Sequence, residues 1–152
     1  MLSCESISGL SIPIKSIASK MATILRFEDL EIWQLARKIY SRILTISEKM
    51  KKNHDFKFSE QIKGSAGSAM DNIREGFERS SRLEFINSLS ISKGECGELK
   101  SQLYRALDGN YIDQKEFDEI YANVELEIKK LAAFIIYLNT SSVKGLKFKN
   151  RK

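Results

Sequence analysis

A chain of 152 residues with 42% hydrophobic and 30% charged side chains has enough apolar material for one core and too much to stay disordered. Its formal net charge of +5 is unevenly spread: residues 26–139 hold 18 basic against 19 acidic side chains, whereas residues 140–152 hold five basic and no acidic ones, so any grip on phosphates needs either a patterned face of the core or the tail. Two cysteines, Cys4 and Cys96, the lone proline Pro13, and no apolar run near the roughly 18 residues a membrane span requires argue against a disulfide framework, a secretory signal or a membrane helix, and place the chain in the cytoplasm.

Residues 1–25 are rich in Ser and Ile without a helical or alternating period, and are read as a flexible extension in which Met21 is an alternative translation start. From Phe27 the text changes. Leu30, Trp33, Ala36, Tyr40, Ile43, Ser47 and Met50 recur at three- and four-residue steps, the mark of one helical face. Glu28 or Asp29 is placed to open this helix, and Lys49, Lys51 and Lys52 to close it, each sign matched to the helix dipole.

Asn53, His54 and Asp55 read as a turn. A second helix follows with Phe58, Ile62, Ala66, Ala69, Ile73 and Phe77 as its apolar side and an end near Gly76. Gly64 and Gly67 sit among small residues and are expected to let a neighbouring backbone come close, at a propensity cost of about 1 kcal/mol each. Ser80 or Ser81 caps a third helix, with Glu84 set for a capping box and Phe85, Leu89, Cys96, Leu99, Leu103 and Leu107 as its stripe. Asp108, Gly109 and Asn110 end it. Asp113 and Glu116 then start a fourth helix with the stripe Phe117, Ile120, Val124, Ile128, Leu131, Ile135 and Leu138. Four long helices joined by short turns pack as antiparallel neighbours, so the expected fold is all-α, an up-and-down four-helix bundle over residues 26–139, with a basic tail over 140–152.

Catalytic patterns are missing from this text. A di-iron bundle needs Glu-x-x-His on two helices, and the single histidine, His54, is in a turn. Cys96 sits at an apolar position, where a thiol is a small core side chain rather than a nucleophile. No phosphate-loop glycine pattern occurs. No enzyme activity, cofactor, metal or small-molecule substrate is therefore expected. The polar groups Asp71, Asn72 and Glu75, with Glu95 and Glu98, admit two readings: a solvated face plus a helix terminus, or interior hydrogen-bonding groups at Asn72 and Glu98 that fix helix register or a subunit interface. The tail residues Lys144, Lys147, Lys149, Arg151 and Lys152 are either solubilising or a salt-sensitive handle for RNA.

The run Phe27-x-x-Leu30-x-x-Trp33, then Gln61-Ile62-Lys63, Asn72-Ile73-Arg74-Glu75-Gly76, Glu84-Phe85 and Gly94-x-x-x-Glu98-Leu99 resembles the bacterial four-helix bundle proteins encoded in intervening sequences of large-subunit ribosomal RNA genes, over about positions 27 to 139. The resemblance implies a homopentameric ring without enzymatic activity, with Trp33, Asn72, Glu75, Gly76 and Glu98 as structural or interface positions. A related branch resembles the accessory proteins of diversity-generating retroelements, which bind nucleic acid through basic surfaces. The chain departs from the family pattern at Gly64, Arg74 and Glu95. The expected function is a non-catalytic, pentameric scaffold that engages RNA or a ribonucleoprotein through Lys63, Arg74, Arg79 and the tail lysines and arginine; the alternative is a protein-interaction module that binds no nucleic acid.

Overall fold

The computed structural model describes residues 14–21 and 24–140, and all long elements among them are helical: α1 (Ile14–Met21), α2 (Glu31–Lys52), α3 (Phe56–Glu78), α4 (Arg82–Asp108) and α5 (Gln114–Thr140), with a 3₁₀ turn at Phe27–Asp29. Consecutive long helices pack side by side and α5 closes back on α2. Descending cross-pairs fix the direction. Lys130 of α5 reaches Glu31 of α2 at 3.2 Å, and Arg42 of α2 reaches Glu119 of α5 at 3.4 Å, as only antiparallel helices allow. The Ser59 hydroxyl donates to the Ser47 carbonyl at 3.0 Å between α3 and α2, and the Ser92 hydroxyl donates to Ala69 at 2.7 Å between α4 and α3. The all-α bundle expected from periodicity is the observed architecture.

Local chemistry sets the helix ends. Asp55 caps α3 by accepting from the Phe58 amide, and Ser81, not Ser80, caps α4 by accepting from the Glu84 amide. At α5 the capping box is reciprocal: the Glu116 amide donates to Asp113 Oδ1 at 2.8 Å and the Asp113 amide donates to Glu116 Oε2 at 3.2 Å. Each turn between long helices turns through one left-handed residue, His54, Ser80 or Asn110. The start of α2 differs from expectation: Glu28 and Asp29 lie in the 3₁₀ turn, and Leu30 occupies the cap position without a side-chain bond. The region read as a loose extension carries α1, which packs against α5 and sets Met21 into the core.

Along α2 the buried residues are Ile32, Ala36, Ile39, Ile43, Ile46, Ser47 and Met50. Trp33 and Tyr40, placed on the core face by sequence, lie on its flank and are half-buried. Both carry a polar atom that favours a wet edge. Trp33 meets the edge of Phe27 at 5.0 Å and holds the Arg37 guanidinium 5.7 Å from its ring centre. The α3 stripe, and that of α4 apart from the half-buried Leu107, are buried as expected, with Ser92 filling the gap between Leu89 and Cys96. On α5, Ile128 and Ile135 are only partly buried and Glu127 is wholly buried.

The close approach of backbones is not where the glycines of α3 suggest. A Cβ on Gly64 would meet nothing within 4 Å, and one on Gly67 would make an ordinary contact with the Tyr40 ring at 3.5 Å. Gly76 is the tight point: a Cβ there would lie 2.6 Å from the Ser88 Cβ and 2.9 Å from the Phe85 ring. The α3–α4 pair is closed there by a run of edge-on rings, Phe77 to Phe85 at 6.2 Å and Phe85 to Phe134 at 5.4 Å.

Candidate nucleic-acid interface

Helical geometry puts Lys63 and Arg74 on one stripe of α3, since eleven residues make three turns and about 16 Å of rise. The structure leaves this stripe facing outward, between an open groove at Lys63 and the exposed Arg74. Tyr40 of α2 and Glu60, Lys63, Gly64, Gly67, Ser68, Asp71 and Asn72 of α3 line the groove, so two carboxylates share it with the lysine. The Lys63 ammonium donates to Glu60 at 2.7 Å, and that bond holds the lysine above its ordinary pKa and the Glu60 carboxyl below its own. Arg74 is exposed and makes no ion pair among the described residues.

Arg79 is a different case. Its guanidinium is shared between Glu75, one turn back on α3, and Glu84 at 3.2 Å in the first turn of α4. Those two carboxylates raise its pKa and lock the α3–α4 turn, so Arg79 serves as a clasp rather than a free cation. Arg82 donates from Nη1 to the Leu138 carbonyl at 3.2 Å and ties the same end to the last turn of α5. The tail positions Lys144, Lys147, Lys149, Arg151 and Lys152 lie outside the described residues.

Of the two groups that one of the sequence readings placed in the interior, Asn72 is half-buried and donates to the Ser68 carbonyl at 2.8 Å. Glu98 is exposed and accepts from Gln102 Nε2 at 3.3 Å; it is not an interior group, because α4 turns Gln102 inward and leaves Glu98 at the rim. Periodicity did not reveal the carboxyl group that is interior. Glu127 of α5 is 0% exposed, and neither carboxyl oxygen has a hydrogen-bond partner. Burial pushes its pKa well above the usual carboxylate value, with the Lys130 charge opposing. Cys96 shares this environment: burial first, then the Glu127 and Glu95 charges, pushes its thiol up to about 12. A thiol so protonated is no nucleophile at neutral pH.

A cleft between α1, α2 and α5 is lined by Ile17, Met21, Leu30, Ile32 and Phe134, with Lys130 at its rim. Lys20 and Lys130 both reach Glu31 there, which places the rim charges in an intramolecular network. Among the described residues no group of three or more His, Cys, Asp and Glu is assembled for a metal, and no helix is long and apolar enough to cross a membrane.

Comparison with known proteins adds three findings. The family model for 23S rRNA-intervening sequence protein matches residues 28–133. A crystal structure of a protein of unknown function from the S23 ribosomal protein family of Bacteroides thetaiotaomicron is similar, with a TM-score of 0.64 at 27% identity, over 68% of this chain and 97% of that one. No curated protein matches the chain.

Proposed function

Since the chain belongs to the 23S rRNA-intervening sequence protein family, we propose that it is a non-catalytic helical scaffold that assembles with copies of itself, as a homopentamer, and engages RNA or a ribonucleoprotein through the outward stripe of α3 and the basic tail. The observation that carries the RNA side is Arg74, exposed and without an acidic partner among the described residues, on the same stripe as Lys63. A cation already neutralised within the fold gains little from a phosphate, which sets Arg74 apart from Arg79. Lys63 would exchange Glu60, a partly exposed partner, for a phosphate.

The assembly side is supported by glycine. Gly64, Gly94 and Gly97 all lie in helix interiors, and a Cβ on any of them would meet nothing within 4 Å. Each costs the helix about 1 kcal/mol relative to alanine, a cost that no contact within the chain offsets. On α4 the two glycines fall between the exposed Ile91 and Tyr104, a face suited to close contact with another helix. That same face supports the second reading, a module for protein partners alone.

Binding of a structured RNA should weaken steeply as salt rises. Neutralising both cations in Lys63→Gln/Arg74→Gln should lower the slope of log affinity against log salt by about 1.4 to 1.8, with the helical circular dichroism unchanged. Equal slopes for wild type and variant would remove α3 from the interface and favour the protein-module reading.

A further inference from the structure

We infer that the corner joining α2 to α3 is a second contact for nucleic acid, a stacking ledge for one unpaired base flanked by two lysines that make no ion pair among the described residues. The inference rests on the RNA reading above and names where and how a single strand is held.

Asn53, His54 and Asp55 make the corner. His54 takes a left-handed conformation at φ 59°, which turns its ring against Phe56, with centroids 5.9 Å apart and planes at 67°. Phe56 is the first residue of α3, and 57% of it is exposed. Folding does not need this ring in solvent, because Phe58, two residues on, supplies the core contact and is 5% exposed.

The surrounding charge is positive and only partly neutralised. Residues 48–57 hold Lys49, Lys51, Lys52 and Lys57 against Glu48 and Asp55. Lys51 is paired with Glu48 at 3.0 Å, and Lys49 with Glu116 at 3.4 Å. Asp55 is engaged in the fold, capping α3 through Oδ1 and accepting from the Tyr111 hydroxyl at 2.9 Å through Oδ2. Glu60 is held by Lys63. Lys52 and Lys57, on either side of the His54–Phe56 pair in the chain, have no ion-pair partner among the described residues.

One exposed ring with two unpaired ammonium groups matches a specific class of ligand. A protein partner or a lipid surface requires a broad apolar area, and at this corner Phe56 is the only large exposed hydrophobic side chain among the described residues. A nucleobase offers one flat face of matching size, and its backbone supplies the anions. Base–aromatic stacking joined to phosphate contacts is how single strands are held with little sequence preference. The corner also lies at the far end of the bundle from Thr140, where the tail begins, a distance of about 33 Å along the 22 residues of α2.

The test is fluorescence anisotropy with a labelled oligouridylate and a labelled oligodeoxythymidylate of about ten nucleotides, using the full chain. Phe56→Leu keeps an apolar side chain and removes the ring, and should weaken binding about tenfold, while Phe56→Trp should retain it. Lys52→Gln/Lys57→Gln should lower the salt slope by about 1.4. The same losses should appear in the Lys63→Gln/Arg74→Gln background. The two probes show whether the strand's sugar matters; loss with either one supports the ledge. If Phe56→Leu and the lysine pair bind like wild type while the Lys63/Arg74 variant is weakened, the ledge is refuted and the RNA reading stands. If wild type binds neither the oligonucleotides nor structured RNA, both fall.

Discussion

Glu127→Leu should raise the unfolding free energy by about 1–3 kcal/mol near neutral pH and flatten its pH dependence. The wild-type carboxyl is fully buried and both oxygens lack a partner, so folding strips it of water and returns no hydrogen bond. Leucine at similar volume removes that loss and adds apolar burial. The pH dependence has a definite sign. Burial raises the folded pKa above the unfolded value, so the folded state binds the extra proton. Its contribution is fully present below the unfolded pKa, about 4.5, and is lost as pH rises through the folded one. The wild type minus Glu127→Leu difference in stability, from urea unfolding between about pH 5 and pH 9, should therefore grow more negative as pH rises. Glu127→Gln should also lose the slope but gain less stability, since its amide remains unpartnered. A flat difference, or a Glu127→Leu protein less stable than wild type, would show that the carboxylate is satisfied in the folded protein.

Gly76→Ala should destabilise the bundle by about 1–3 kcal/mol, although alanine is the better helix former. The added Cβ would sit 2.6 Å from the Ser88 Cβ, an atom fixed to the α4 backbone and unable to rotate away. Relief requires α3 and α4 to separate where Phe77 and Phe85 meet. Gly64→Ala, the same change on the same helix, should stabilise by about 1 kcal/mol when measured at a dilution where assembly contributes nothing. Urea unfolding of the two variants side by side checks the pair, and a destabilised Gly64→Ala with an unaffected Gly76→Ala would reverse the packing described for α3.

Several elements could be read from the text because two signals agreed. The α5 start had both its Asp-x-x-Glu box and its stripe, and the α3 stripe was one residue wide with small neighbours. Rotation was harder to read where two stripes overlap. On α2, Ile32–Ala36–Ile39–Ile43 satisfies the same periodicity as the stripe Trp33–Ala36–Tyr40–Ile43. The structure buries Ile32, Ala36, Ile39 and Ile43 and leaves Trp33 and Tyr40 half-buried on the flank. Glu127 lies three residues after Val124 and four before Leu131, squarely within the α5 period; a carboxylate is rarely buried without a partner, and only packing shows it inside. Gly76 looked like a helix end because glycine often is one, whereas α3 runs to Glu78 and uses Gly76 for contact. For the candidate interface, sequence grouped Lys63, Arg74 and Arg79 by charge alone. Which of them is already neutralised depends on Glu60, Glu75 and Glu84, and those pairings are set by helix phase and the α3–α4 turn.

The most direct test of assembly on RNA is light scattering coupled to size exclusion, with the ultraviolet absorbance ratio read across the peak. At low salt the purified protein should elute at five times the 17.4 kDa of one chain with nucleic acid that departs as salt rises, and Gly94→Leu/Gly97→Leu should fall to the mass of one chain. A single-chain mass for wild type, with a protein-like absorbance ratio at low salt, would contradict the account.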